Sequence, residues 1–336
     1  MSSSNSNTEF KSIINPIINM SIELLNQSQN RYFFLQPIEI PTNNLLLYAI
    51  PTQSENKNSI YIVKSYKYEE DSRAKVDNEI KIVSKFNNDP SIIKNLDIFQ
   101  DFFNGHMSKF LVMNFYQNHD IMDSGHKLIG NEWRFVSFSN EEILQIAVQS
   151  LHILKKLKDN KIVHNDIRLE NFLLRSREPI VIVLTDFEFA EEIDENHLST
   201  NSNGKPFIYP PEVLEGQPHD YSSDIWSLGV VFYQLLARTY PFYLDCEMKA
   251  KEALEMIENE YLEQDEISDI AFQVVSCMLE KNPNDRITVE KALESEWLAN
   301  VQMADVSKFT DIEFDVKQKQ TKIEKEMSYP DKYDNH

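Results

Sequence analysis

The feature that most restricts what this chain can fold into is one polar loop and its sequel. Ile162-Val163-His164-Asn165-Asp166-Ile167-Arg168-Leu169-Glu170-Asn171 is followed, fifteen residues beyond Asn171, by Asp186 in Thr185-Asp186-Phe187-Glu188. Between them lie two short apolar runs, 172–174 and 180–184, of strand length and parted by a polar turn. An Asp and an Asn five apart, with a second Asp beyond a hairpin, bring hard oxygen atoms to one place. The carboxylate of Asp166 can accept a proton from an attacking hydroxyl. Asn171 and Asp186 are the oxygen ligands that Mg2+ takes when it bridges phosphates. His164, in the same loop, reads as a packed core residue rather than a base.

The rest of the chain supplies a frame for that loop. Its 336 residues fit two domains or one two-lobed unit. With 41% apolar and 11% aromatic residues it can bury a large core. A formal charge of −21 argues against general nucleic-acid binding and against anionic membranes, since phosphates are repelled. No run of apolar residues is long enough to span a bilayer. Two cysteines, Cys246 and Cys277, are too few for a disulfide framework, and residues 1–7 carry neither a basic nor an apolar signal region. A reducing, cytoplasmic location is therefore expected.

Strand-like runs occupy 32–35, 45–50, 59–64, 98–103 and 110–115. One helix over 74–86 interrupts them, with Val76, Ile80, Val83 and Phe86 on one face. From Asn140 helices dominate, over 141–157, 222–237, 248–260, 267–279 and 288–295, the first capped near Ser139-Asn140. Residues 1–30 form an extension in which Phe10, Ile13, Ile14, Ile17, Ile18 and Ile22 recur at helical spacing across Pro16, as expected of a segment that docks on the body. Residues 299–336 form a charged tail.

The polar loop and the Asp-Phe pair resemble the catalytic loop and metal-binding motif of the protein kinase superfamily. Further segments resemble that family in the same order. Ile62-Val63-Lys64 resembles the strand lysine that holds the α- and β-phosphates, and Glu79 its ion-pair partner. Asn88-Asp89-Pro90-Ser91-Ile92-Ile93 resembles the turn after that helix. Met113-Asn114-Phe115-Tyr116 resembles the gatekeeper and the hinge that meets the adenine edge. The 204–212 segment, Gly204-Lys205-Pro206-Phe207-Ile208-Tyr209-Pro210-Pro211-Glu212, resembles the close of the activation loop. Asp224-Ile225-Trp226-Ser227-Leu228-Gly229 resembles the helix start whose Asp ties down the catalytic loop. In the turn 282–288, Arg286 resembles the partner of Glu212. The resemblance covers about 31–298. It implies an α+β, two-lobed fold with a β-rich N-lobe over about 31–113 and a mainly helical C-lobe over about 117–298. It implies ATP and Mg2+ as cofactors and protein hydroxyls as acceptors. Asp166 and Arg168 are then the catalytic pair, Lys64, Glu79, Met113, Asn114 and Tyr116 contact nucleotide, and Asn171 and Asp186 hold metal.

The chain also departs from the family pattern. The positions of the glycine-rich nucleotide loop hold Glu39, Pro41 and Asn44, and no glycine occurs before Gly105. Backbone N–H groups approach phosphates most closely where no Cβ intervenes, so weakened ATP use is expected. Asn165 replaces the arginine that receives an activation-loop phosphate, so phosphorylation of Ser199, Thr200 or Ser202 is not expected to be the main switch. Arg168 replaces a lysine beside the transferred phosphate, a change some tyrosine kinases share, whereas Glu170-Asn171 and the 204–212 segment are of serine/threonine type. Glu188 replaces the glycine after Phe187, and Lys205 the threonine that supports the catalytic Asp.

Residues 186–195 carry six acids and no base, and residues 245–269 ten acids against Lys249 and Lys251. A solvated acidic face is one reading; a preference for basic protein substrates is the other. Three activities compete: a protein serine/threonine kinase of reduced activity, a pseudokinase acting as a scaffold or allosteric module, and a small-molecule kinase. The Pro210-Pro211-Glu212 and 224–229 segments argue against the last.

Overall fold

The computed structural model describes residues 31–38, 45–51, 60–116, 120–129, 132–135, 138–202, 205–242, 248–264 and 267–303. The docking segment expected within 1–30, the positions Glu39, Pro41 and Asn44, Gly204, and the tail beyond 303 lie outside them. The chain is α+β and divides into two units. Described residues up to Val76, with Lys94–Phe115, form the first; Asp77–Ile93 and the residues from Tyr116 onward form the second.

The first unit is a five-stranded antiparallel sheet in the order β1-β2-β3-β5-β4. Its strands are β1 (Tyr32–Ile38), β2 (Leu45–Pro51), β3 (Tyr61–Lys67), β4 (Asp97–Phe103) and β5 (His106–Asn114). Alternation sends Val63, Phe99, Phe103, Phe110 and Val112 to one face, where they pack with Phe34, Leu47 and Ala49. Phe99 and Phe110 stack with centroids 4.9 Å apart, and Phe34 lies 5.3 Å from Phe110. Each fully buried Phe contributes about 1.5–3 kcal/mol. The β4–β5 hairpin turns on Asn104 (φ 50) and Gly105 (φ 85), the Asn-Gly pair that a two-residue turn with two positive φ values requires.

Helix α1 (Glu70–Ser84) contributes its first turns to this unit and the remainder to the second. Three of the four residues expected on its inward face, Val76, Val83 and Phe86, are buried. Val76, Ile82 and Val83 are buried together with Glu79, whereas Ile80 is only half-buried. The carboxylate of Glu79 lies on that same buried face.

The second unit is mainly helical. Its helices are α2 (Ile121–Ser124), α3 (Asn140–Asp159), α4 (Pro211–Leu214), α5 (Tyr221–Ala237), α6 (Ala250–Asn259), α7 (Asp269–Met278) and α8 (Val289–Leu293). Small hairpins pair β6 (His126–Ile129) with β7 (Glu132–Phe135), and β9 (Phe172–Arg177) with β10 (Ile180–Leu184); β8 (Ile162–Val163) pairs with β11 (Glu191–Glu192). α3 opens on a capping box in which Ser139 and Glu142 satisfy each other's backbone N–H. Its face of Ile143, Ile146, Ala147, Leu151, Leu154 and Leu157 is buried. Gln149 on α3 donates to Ile180 O at 2.9 Å and accepts from Ile182 N at 3.1 Å, which docks the β9–β10 hairpin on the helix. α5 is buried along twelve of its positions, from Ser223 to Leu235, and serves as the central post.

Gly229 on α5 marks a close approach to the end of α7. A Cβ there would stand 2.9 Å from Met278 Cβ and 3.1 Å from Leu279 Cδ2. Since Met278 Cβ cannot rotate away, Gly229→Ala must separate α5 from the end of α7, at a cost of about 1–3 kcal/mol. The expected outcome is a midpoint lowered by several degrees in calorimetric unfolding. An unchanged or raised midpoint contradicts the packing described.

Candidate active site

The polar loop 164–171 lies in the second unit, between β8 and β9. Its start is fixed by a carboxylate from below. Asp224, in the first turn of α5, accepts the backbone N–H of His164 at 2.7 Å and of Asn165 at 3.0 Å, one on each oxygen. Asp224 is buried, and burial pushes its carboxyl up to about 7 against those two hydrogen bonds. α5 begins where it does because Asp220 caps it, accepting from Ser222 N at 2.9 Å. Behind that cap, Arg286 makes a buried two-pronged pair with Glu212 at 2.7 and 3.0 Å and donates to Ser222 O at 2.8 Å. The pairing of Arg286 with Glu212 and the tie from Asp224 to the loop are thus present as expected.

The loop's end is fixed by Asn171, in a single 3-10 turn, Leu169–Asn171. Its Nδ2 donates to Asp166 O and to Asp166 Oδ2, both at 2.8 Å. Asn171 O accepts from Thr185 N at 2.9 Å, which sets Asp186 beside the loop. Asn165 (φ 66) and Asp186 (φ 63) are both left-handed, a conformation that Asn and Asp tolerate better than other residues with a Cβ. Phe187 is fully buried, its ring 4.7 Å from that of His164 and 6.5 Å from that of Phe86. His164 accepts from Asp166 N through Nδ1 at 3.3 Å, so its Nε2 carries the proton toward Thr185 O at 3.2 Å. It is a packed core residue, as expected.

Asp166, Arg168, Asn171 and Asp186 therefore stand in one place. Burial pushes the Asp166 carboxyl up to about 6; the Arg168 guanidinium opposes this, the Asp186 charge adds to it, and the Asn171 amide opposes it again. Arg168 Nη2 pairs with Glu170 Oε1 at 2.9 Å, yet its Nε is buried with no hydrogen-bond partner among the described residues. An orphaned cationic donor next to a carboxylate pair fits an anionic group such as a phosphate. Asn171 turns its N–H2 to Asp166, and its amide oxygen accepts no hydrogen bond among the described residues. With the Asp186 carboxylate it offers the small oxygen set that suits Mg2+, which takes one or two protein ligands and completes its shell with phosphate and water. No cluster of three or more His, Cys, Asp or Glu side chains able to hold a metal occurs among the described residues.

Glu79 and Tyr116 also belong to the second unit; Lys64, Met113 and Asn114 belong to the first. Glu79 is buried on α1, next to Asn78, which donates to Ala190 O at 2.9 Å. Lys64 is buried on β3, opposite Leu111 on β5, with Nζ 4.9 Å from the centre of the Tyr66 ring. It faces away from the aromatic core that Val63 joins. Met113, opposite Ile62, is buried and Asn114, opposite Tyr61, is half-buried at the end of β5.

Several departures read from the sequence take a different physical form here. Glu188 has no positive φ, so the backbone does not use the freedom of the glycine it replaces. Lys205 is exposed and lies over the Phe207 ring at 5.6 Å, and it gives Asp166 no support. The acidic run 186–195 is partly neutralised, because Lys81 and Lys85 each reach Glu192 at 2.6 Å. Ser199 and His219, which the sequence reading did not join, exchange backbone hydrogen bonds at 3.0 and 2.9 Å. His219 sits one residue before the Asp220 cap, and that adjacency is the one signal in the sequence that could have drawn attention to it.

Comparison with known proteins adds two findings. Residues 50–298 match the family model described as protein kinase domain. A probable myosin light chain kinase of Dictyostelium discoideum is 28% identical over 220 residues, covering 66% of this chain and 67% of that protein.

The Asp166 carboxyl gives a direct check on the site's electrostatics. Its folded value lies above its unfolded one, so the folded site holds a proton between about pH 4 and 6 that the unfolded chain releases. Stability drawn from this group is present at low pH and is lost as pH rises through about 6. Carboxyl-labelled NMR of the metal-free protein, differenced against Asp166→Asn, should show a midpoint near 6. A midpoint near the ordinary aspartate value contradicts the assigned burial.

Proposed function

The chain belongs to the protein kinase family, and we propose that it is an ATP- and Mg2+-dependent protein serine/threonine kinase of reduced activity, acting on proteins in the cytoplasm. The observation that carries this reading is the assembly of Asp166, Asn171 and Asp186 with Arg168, whose buried Nε has no hydrogen-bond partner among the described residues. ATP supplies the transferable phosphoryl group, and Mg2+ supplies the charge that offsets its oxygens.

The chain's own residues then have the following tasks. Asp166 Oδ2 is engaged by Asn171, so Oδ1 is the atom that orients the acceptor hydroxyl and takes its proton. At pH 7 a carboxyl pushed up to about 6 is ionised, yet far more basic than an ordinary aspartate. Arg168 Nε offers its hydrogen bond to the transferring phosphate. Asn171 and Asp186 hold the metal through oxygen. Lys64 and Glu79 are the pair assigned to the α- and β-phosphates, and Met113, Asn114 and Tyr116 the edge that meets the adenine. Serine/threonine acceptors are supported by the Glu170-Asn171 and 204–212 segments, and protein acceptors by the name of the Dictyostelium relative. A basic substrate is supported by the acids at 188, 191, 194 and 195. The cytoplasmic placing rests on the two cysteines; no helix of the described residues is long and apolar enough to cross a membrane.

A specific observation favours a second reading. Glu39, Pro41 and Asn44 stand where phosphate-covering glycines belong, and a carboxylate there repels phosphate. Catalysis in this family rests on positioning and electrostatics, so the loss lowers the rate; complete loss gives a pseudokinase.

Radiolabelled ATP with Mg2+ and a basic serine-containing protein distinguishes the two. Wild type should label serine, Asp166→Asn should reduce the rate by roughly 10²–10⁴-fold, and Lys64→Ala should reduce it as well. No labelling by wild type makes the pseudokinase reading the better one. Labelling undiminished in Asp166→Asn contradicts the assigned base.

A further inference from the structure

Asn165 takes the place of an arginine, but the structure does not leave that place vacant. Its side chain, only 6% exposed, is wholly occupied by neutral partners. Nδ2 donates to Phe189 O at 2.9 Å and to Ser199 Oγ at 3.1 Å; Oδ1 lies 2.9 Å from His219 Nε2. The carbonyl of Phe189 fixes which end of the amide is nitrogen, so His219 Nε2 must be the donor to Oδ1. Ser199 is 0% exposed and His219 4%. Ser199 Oγ also accepts from Asn201 N at 3.2 Å, and Asn201 Nδ2 donates to Phe189 O at 3.0 Å.

Three stretches converge on this cluster: the loop at 165, the segment after Asp186 at 189, 199 and 201, and the approach to α5 at 219. Backbone hydrogen bonds in both directions between Ser199 and His219 close it. Asn165, Ser199 and Asn201 carry no charge, and burial pushes the His219 imidazole down from its ordinary value, opposed by the Gln217 carbonyl 3.3 Å from its Nδ1. Buried polar groups are held in place only when they are paired, and here the Asn165, Ser199 and His219 side chains each find a partner on another stretch. A phosphate on Ser199 would bring a charge of about −1.5 to −2 into a wholly buried site without a cation in the cluster.

We propose that Ser199 and His219 are positioning residues: acting through Asn165, they bracket residues 186–202 to the catalytic loop with neutral hydrogen bonds, so that the loop is set for reaction with no phosphate on that segment. The kinetic half of this inference rests on the phosphotransfer reading; the structural half does not. His219 further lines a cavity of about 410 Å³, beside Glu212 and Asp224.

The test uses the full chain, treated with phosphatase, as wild type, His219→Leu, His219→Gln and Ser199→Ala. Hydrogen–deuterium exchange over 186–202 is read beside kcat and the KM for ATP. His219→Leu is expected to speed exchange across 196–202 and to lower kcat about tenfold with KM within about twofold. His219→Gln keeps an N–H for Asn165 Oδ1 and should recover most of both. Ser199→Ala keeps the backbone bridge and should give an intermediate effect. Phosphatase treatment should leave wild-type kcat unchanged. The inference is overturned if phosphatase lowers wild-type kcat, if His219→Leu exchanges like wild type, or if the Gln variant is no better than Leu. Should wild type transfer no phosphate at all, the phosphotransfer reading fails on that result, and the exchange data alone decide the bracket.

Discussion

The structure of the candidate site depends on one buried carboxylate. Asp224 receives the backbone N–H groups of His164 and Asn165 and so sets the position of every residue that follows in the loop. Its own position is set by the capped start of α5 and by the buried Arg286–Glu212 pair at the carbonyl of Ser222. Breaking such a pair from one side leaves a charge without compensation, at about 3–5 kcal/mol. The chain of dependence thus runs from Glu212 and Arg286, through α5, to Asp166. Residues far from the loop in sequence decide where the Asp166 carboxylate stands.

The loop is then finished by local hydrogen bonds. Asn171 ties back to Asp166, and its carbonyl receives Thr185 N, so the spacing of five and then fifteen residues is what closes the site. Most of this was legible because it is encoded in short sequence intervals. The same holds for the strands and helices, whose alternation and periodicity placed each major element. The hairpin of β6 and β7 was not read, since its strands are only four residues long and carry charge. The inward face of α1 follows the apolar pattern at Val76, Val83 and Phe86, but a pattern of apolar residues cannot report the buried carboxylate of Glu79 on the same helix.

What the sequence concealed most fully is the fate of the substituted positions. Asn165 looked like the loss of a cation. In the fold it is a saturated hydrogen-bonding centre, and its partners Ser199 and His219 lie 34 and 54 residues away. Lys205 and Glu188 also turn out differently, the first stacked on Phe207 and the second in an ordinary backbone conformation. These outcomes depend on long-range packing, which no local pattern carries. At Asn165 and Lys205 the side chains make contacts within the second unit that their residue types alone do not announce.

The central claim is that Asn171 and Asp186 hold a divalent cation together with nucleotide phosphates. Calorimetric titration of the full chain with ATP, in the presence and absence of Mg2+, tests it most directly when repeated on Asp186→Asn. ATP binding that Mg2+ strengthens by tenfold or more, with the gain lost in Asp186→Asn, is the predicted result. ATP binding indifferent to Mg2+, or equally strengthened in the variant, contradicts the account.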